Sequence, residues 1–195
     1  LKKELQWKSQ WASGASVISV FFGGGTPSIL RVEQMEELLS LIKEYYTLTE
    51  DVEITMEANP GTLTVETLLQ YQRIGINRLS IGLQSGDDQE LEMLGRIHTW
   101  EQFERNYRDA RKVGFENINV DLMSALPGQT IESYQKTLKK VVRLDPEHIS
   151  AYSLIVEEGT PLYEDEILLE KLPGEELDRQ MYQMTKEFLH AHGYE

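Results

Sequence analysis

Residues 17–30 read VISVFFGGGTPSIL, and this stretch determines how the rest of the sequence is interpreted. Residues 17–22 are mainly β-branched and aromatic, which predicts a buried β-strand. Gly23, Gly24 and Gly25 follow directly, and consecutive glycines cost backbone entropy without burying a side chain. The strand therefore ends either in a tight turn packed under a helix or in exposed backbone groups that bind a compact polar ligand.

Two common phosphate-binding loops do not match these glycines. A Walker loop has a lysine after its last glycine, and no lysine follows Gly25. A Rossmann loop has a further glycine where Ser28 stands, and Pro27 interrupts the turn. An amino-acid head group, which carries both an ammonium and a carboxylate, suits a site made of backbone N–H and C=O groups better.

The strand pattern recurs along the chain, between segments of helical periodicity. Five mainly apolar runs cover residues 17–22, 52–56, 78–83, 117–122 and 148–156. This alternation predicts an α/β fold with parallel strands joined by right-handed crossovers. An open doubly wound sheet and part of a (β/α) barrel both fit. The barrel is favoured because each predicted strand ends near polar or glycine residues, as a shared ligand-binding mouth requires.

Capping residues and prolines predict where the helices begin and end. Thr64 caps a helix that ends near Gly75, and Thr99 caps one that ends near Gly114. A further helix cannot run past the residue before Pro146, because proline disfavours the helical conformation there.

Polar side chains lie at the ends of several predicted strands. Glu57 and Gln84 follow apolar runs directly, and Asp121 lies near the end of the fourth run. Each of them alone is explained by an internal hydrogen bond, which a polar group near a buried strand needs. Because ligands bind at the carboxyl ends of parallel strands, the three side chains and the glycines together predict a ligand site. Arg96 is either a surface cation or a bidentate ligand for a carboxylate.

Composition excludes several classes of function. The net charge is −14, which repels phosphate backbones and makes nucleic acid a poor partner. The apolar runs are too short for a membrane span, and without a signal peptide the predicted location is the cytoplasm. The chain has no cysteine, so these residues form no disulfide and no thiolate-ligated metal or iron–sulfur site.

Histidine and serine motifs of known catalysts are absent from the sequence. His190 and His192 are two residues apart and do not share a helix face. His98 and His148 lack a partner motif, so we expect all four histidines to be exposed or to cap helices. No G-x-S-x-G segment occurs either, and no catalytic acid or base is predicted.

Six motifs together resemble the radical S-adenosylmethionine (SAM) family of oxygen-independent coproporphyrinogen III oxidase-like proteins. They are FFGGGTPS, ITMEANPGTLT, NRLSIGLQS, LGRIHT, NINVDLMSALPGQT and ISAYSLIVEEGTPLY, and they cover most of the chain in one collinear order. The resemblance implies part of a (β/α)6 barrel with five βα units, in a single domain over residues 1–195 that is truncated at both ends. It implies that SAM contacts the residues at matching positions, which are Gly24, Gly25, Thr26, Glu57, Gln84, Arg96, Asp121 and Ile155.

The resemblance also implies a [4Fe–4S] cluster and a role in tetrapyrrole metabolism. The family holds its cluster with a C-x-x-x-C-x-x-C segment, which is missing here, so we expect the cluster ligands to lie outside this chain. IGLQS, LGRIHT and EEGTP favour the haem chaperone branch, whose members bind haem and transfer it to target proteins. The alternatives are an oxidase that decarboxylates a porphyrinogen with the help of an electron donor protein, and a cluster-free barrel that binds a nucleotide or phosphate. Whether the whole protein is an enzyme stays open.

Overall fold

Strands and helices alternate in the computed structural model, which describes residues 1–12 and 14–195. The strands are β1 Ser16–Phe22, β2 Thr47–Ala58, β3 Arg78–Gln84, β4 Asn117–Ser124 and β5 His148–Ser153. The longer helices are α1 Lys2–Lys8, α2 Val32–Tyr45, α3 Val65–Ile74, α5 Trp100–Val113, α6 Ile131–Val142 and α9 Glu175–Ala191. The short helices are α4 Asp88–Met93, α7 Pro161–Glu164 and α8 Glu166–Leu169.

The strands form one parallel sheet in the order β1-β2-β3-β4-β5. The register pairs Phe22 with Met56 and Ser124 with Ser153, so β1 and β2 end side by side, as do β4 and β5. A doubly wound sheet reverses its strand order at a switch point, and this sheet does not. The strand order therefore rules out the doubly wound alternative.

The chain divides into two compact units, each with its own core. The first consists of Leu1–Ser80 and Asn106–Ile118. In it, α2 packs against α3 and β2, and the core includes the fully buried side chains of Met35 on α2, Met56 on β2 and Leu68 on α3. The amphipathic pattern of the two helices supplies Met35 and Leu68, because their apolar positions recur at the helical period.

The second unit consists of Ile81–Arg105 and Asn119–Glu195. Its core includes Leu83, Leu122 and Leu138, all with no exposed surface, and α6 packs against α9. Both faces of β3 are buried, which explains why its sequence reads as an almost continuous apolar run. Among the described residues, no helix combines the length and apolar character needed to cross a membrane.

The predicted helix boundaries are confirmed. The Thr64 hydroxyl accepts a hydrogen bond from the Thr67 N–H at the start of α3, and the Thr99 hydroxyl accepts one from the Gln102 N–H. Gly75 directly follows α3, and α6 ends before Pro146. These contacts satisfy backbone N–H groups that the first turn of a helix leaves unpaired.

The largest differences from the predicted strands are in β2 and β5, and the other three strands differ by only one or two residues. β2 begins at Thr47 rather than residue 52, because Thr47 and Leu48 pair with the start of β1 even though this part of the strand is only partly buried. β5 ends at Ser153 rather than residue 156. The Leu154 N–H still bonds the Ser124 carbonyl, but Ile155 then lies in solvent.

Candidate functional site

The glycines after β1 are required for two different reasons. Gly24 and Gly25 have φ values of +81° and +61°, a left-handed conformation that glycine adopts without steric cost. A Cβ on either residue would meet no atom within 4 Å, so the space beside them is open. At Gly23, by contrast, a Cβ would lie 2.6 Å from Phe21 Cε1 and 3.0 Å from Glu57 Oε1. Close packing explains Gly23, and loop conformation explains Gly24 and Gly25.

Glu57 holds the glycine segment from the neighbouring strand. Its Oε2 accepts a hydrogen bond from the Gly24 N–H at 2.9 Å. The register that pairs Phe22 with Met56 brings these two residues together, because each lies just past its register pair. The carboxylate is partly buried and fixes a backbone donor of the loop, and a hydrogen bond to a charged acceptor is stronger than a neutral one.

Thr26 is fixed in the same unit by Asn59. The Asn59 Nδ2 donates to the Thr26 Oγ1 at 3.1 Å. Two residues later, the Gly61 N–H donates to Oδ1 of the buried Asn106, whose Nδ2 donates to the Leu63 carbonyl. The loop after β2 is thus anchored to α5. Sequence reasoning missed Asn106, for which the only signal is a buried asparagine position on an amphipathic helix.

In the second unit, Gln84 ends β3 in a strained conformation. Its φ is +73°, which is rare for a residue with a side chain and costs about 1–3 kcal/mol. The residue is only 5% exposed, and its Oε1 accepts a hydrogen bond from the Tyr152 hydroxyl at 2.9 Å. Such strain persists only where the surroundings impose it, and it concentrates at functional sites.

Asp121 lies on β4 in a hydrogen-bonded row. Its Oδ1 accepts from the Nδ2 of Asn119, two residues earlier on the same face of the strand, at 2.7 Å. The Asn119 Oδ1 in turn accepts from the Ser150 hydroxyl at 3.1 Å and contacts the Nδ1 of His148. Asn119 is 2% exposed, so this amide links β5 to Asp121 through the interior of the unit.

Arg96 and His98 lie on the connection between α4 and α5. Arg96 is partly buried, and its N–H donates to the Leu91 carbonyl at 2.9 Å. His98 is 4% exposed, which contradicts the expectation that it is exposed or caps a helix. Its Nε2 bonds the Leu83 carbonyl at 3.2 Å, directly before Gln84. Burial lowers the pKa of His98; the bond to Leu83 opposes this shift, and the charge of Arg96 adds to it.

Ile155 follows β5 and is 78% exposed. Single exposed apolar side chains are ordinary on protein surfaces, so this exposure alone assigns Ile155 no role. In the first unit, the structure therefore places Gly24, Thr26 and Glu57 in one hydrogen-bonded region at the loop after β1. In the second unit, Gln84 and Asp121 are each fixed by their own partners, and Ile155 extends into solvent.

The sequence matches the Radical SAM superfamily over residues 6–141. It is 39% identical over 180 residues to the heme chaperone HemW of Bacillus subtilis, a match that covers 90% of this chain and 47% of the relative. It is 42% identical over 150 residues to the heme chaperone HemW of Escherichia coli, covering 77% of this chain and 40% of that relative. The chain thus spans less than half the length of either relative.

Solved structures share the fold. Coproporphyrinogen III oxidase (HemN) from Escherichia coli, described as a radical SAM enzyme, superposes with a TM-score of 0.84 at 29% identity. The match covers 100% of this chain and 45% of the oxidase. The archaeal Elp3 of Methanocaldococcus infernus matches over 88% of this chain and 44% of its own, with a TM-score of 0.71 at 19% identity, which shows the fold alone. The prediction of part of a radical SAM (β/α)6 barrel is confirmed.

The cofactors follow from these matches. The superfamily uses SAM and a [4Fe–4S] cluster. Because the sequence contains no cysteine, the thiolate ligands of such a cluster are not among these residues. The resemblance found in the sequence motifs is confirmed by the match over residues 6–141: the chain belongs to the radical SAM superfamily.

Proposed function

We propose that this chain is the SAM-binding part of a haem chaperone, a protein that binds haem and transfers it to target proteins. The observation that carries SAM binding is the glycine segment, held by Glu57 beside open space. The two relatives named heme chaperone, at 39% and 42% identity, support the haem assignment. The proposed location is the cytoplasm, and the proposed further partners are haem and an electron donor protein.

The available side chains fit the chemistry of SAM. The molecule carries an ammonium and a carboxylate at its methionyl end and hydroxyls on its ribose. Backbone groups of Gly24 and Gly25 with Thr26 suit the methionyl end, and carboxylates such as Glu57 and Asp121 accept from an ammonium or a hydroxyl. The Arg96 guanidinium suits a carboxylate, the Gln84 amide both donates and accepts, and Ile155 offers apolar contact to the nucleoside.

These residues bind and orient SAM, and none of them is proposed as a catalytic acid or base. SAM with a reduced [4Fe–4S] cluster supplies radical chemistry, and the protein contributes binding, orientation and exclusion of water. The open space at Gly24 and Gly25 permits the close approach of a ligand to the backbone.

A direct experiment tests the chaperone assignment. The full-length protein is incubated anaerobically, under reducing conditions, with SAM and either haem or coproporphyrinogen III. We expect haem to be retained on the protein in a fixed ratio without any decarboxylated porphyrinogen. Repeated decarboxylation of the porphyrinogen would overturn the assignment and establish an oxidase.

The oxidase is the second candidate, because the HemN structure matches the whole chain with a TM-score of 0.84. Its 29% identity is lower than that of the two relatives named heme chaperone. A cluster-free nucleotide or phosphate binder is the third candidate. It predicts that the full-length protein does not bind SAM, which calorimetry decides.

A further inference from the structure

The backbone at Gln84 is held from both sides. Before it, the Leu83 carbonyl accepts from the Nε2 of His98. After it, the Ser85 hydroxyl donates to the Glu90 carboxylate, and the Gly86 N–H donates to the Thr137 hydroxyl at 3.0 Å. These contacts hold the backbone on both sides of Gln84, whose φ is +73°, and so restrict the position from which its side chain starts.

The orientation of the terminal amide is a separate question, because rotation about its last bond exchanges the carbonyl oxygen and the NH₂ group. The two groups have opposite hydrogen-bonding character. The Tyr152 hydroxyl donates to Oε1 at 2.9 Å. A phenol is a better donor than acceptor, because its oxygen lone pair is delocalised into the ring. Tyr152 therefore favours the orientation in which the carbonyl oxygen faces β5.

The NH₂ group of the Gln84 amide then lies on the side away from Tyr152, where it can donate to a ligand. Within residues 1–12 and 14–195, nothing accepts a hydrogen bond from Nε2 of Gln84. Two N–H donors on a side chain that is only 5% exposed complement a ligand atom that accepts hydrogen bonds, such as a carboxylate or hydroxyl oxygen. The Tyr134 hydroxyl is the buried side-chain polar atom without a hydrogen-bond partner among the described residues, so the Nε2 of Gln84 reaches solvent, where a ligand atom can replace water as its acceptor.

We propose that Tyr152 is a positioning residue for SAM: its hydroxyl fixes the Gln84 amide with Oε1 toward β5, so that the Nε2 donors face an acceptor oxygen of the ligand. This inference rests on the proposed SAM binding. It assigns a role to the hydroxyl of Tyr152, a residue that is 45% exposed.

A double-mutant cycle tests the proposal in the full-length, cluster-loaded protein. SAM affinity is measured by calorimetry for Tyr152→Phe, Gln84→Ala and the double variant. We expect Tyr152→Phe to weaken binding about five-fold, the effect of one net hydrogen bond. In the Gln84→Ala background, the same change has no further effect, because the amide it orients is gone. Tyr182→Phe, which removes a hydroxyl from a residue 67% exposed on α9, leaves the affinity unchanged.

The outcomes separate this inference from the proposed function. If the wild-type protein does not bind SAM, the proposed function fails. If it binds and Gln84→Ala weakens it while Tyr152→Phe does not, the positioning role of Tyr152 is wrong. An equal loss from Tyr152→Phe in both backgrounds also overturns it, because the hydroxyl then acts without Gln84. Thermal unfolding of each variant identifies any that do not fold, and Gln84→Leu then replaces Gln84→Ala in the cycle.

Discussion

The Gly24 N–H donates to the Glu57 Oε2 at 2.9 Å, so a carboxylate near the end of β2 fixes the loop that follows β1. A substitution of Glu57 therefore removes a hydrogen bond of the loop, and a change in the loop conformation at Gly24 removes a hydrogen bond of Glu57. The glycine supplies the backbone conformation, and the glutamate selects that conformation from the many that glycine allows.

Glu57→Ala is expected to weaken SAM binding by about ten-fold or more, because it removes a charge-assisted hydrogen bond to the loop. Glu57→Gln keeps an acceptor oxygen for the Gly24 N–H and is expected to lose less. Calorimetry on the full-length protein measures both, with Glu53→Gln on the same strand as the control. Equal losses for Glu57→Gln and Glu57→Ala would contradict the role of Glu57 as the acceptor for the loop.

Gly24→Ala is expected to destabilise the fold by about 1–2 kcal/mol, the cost of a left-handed conformation for alanine. It should also weaken SAM binding, because the new methyl group occupies space beside the glycine segment. Gly193→Ala is the matched control, since Gly193 has φ +89° and equally open surroundings. Urea unfolding should report a similar loss for both variants, whereas only Gly24→Ala loses SAM affinity. If Gly193→Ala weakens binding as much, the effect comes from stability and not from the site.

The buried His98 makes stability depend on pH. Burial holds its folded-state pKa below its value in the unfolded chain, about 6.5, so below that pH the unfolded state binds more protons. The resulting destabilisation begins as the pH falls through about 6.5 and grows until the folded-state pKa is reached. His98→Gln should therefore reduce the stability lost between about pH 7.5 and about pH 5.5. Urea unfolding at both pH values measures this loss, and His190→Gln, an exposed histidine on α9, serves as the control. An unchanged loss in His98→Gln would show that other groups dominate.

Asn119→Leu is expected to destabilise the protein by about 1–3 kcal/mol, because it removes the hydrogen bonds that this buried amide makes to Asp121 and Ser150. It should also weaken SAM binding, since Asp121 loses the amide that orients it. Asn117→Leu removes a single hydrogen bond, to Glu53 at 3.3 Å, and is expected to cost less. Calorimetric melting compares the two variants, and equal losses would contradict the special role of Asn119.

Much of the fold was predictable, because strands buried on both faces produce apolar runs and helix ends carry caps. The first residues of β2 were not, because Thr47–Glu50 are mainly polar and join the strand through pairing with β1. The glycine segment and the side chains at the strand ends were predictable as candidates for a site, since parallel strands place their ends together.

The hydrogen-bond partners of these candidate residues were harder to predict from the sequence. Asn119 lies two residues before Asp121, so strand periodicity alone places both on one face, and this signal was available. The bond from Tyr152 to Gln84 joins residues 68 positions apart, and no local pattern indicates it. The buried ring of His98 bonds a backbone carbonyl. Every residue has such a carbonyl, so the sequence does not identify the partner of His98.

The positive φ of Gln84 has a consequence for substitution at this position. Glycine at this position would adopt the positive φ without the steric cost of about 1–3 kcal/mol, but it would also lose the buried side chain and its hydrogen bond from Tyr152. With glutamine in this place, the fold tolerates a strained backbone and keeps an amide at the end of β3.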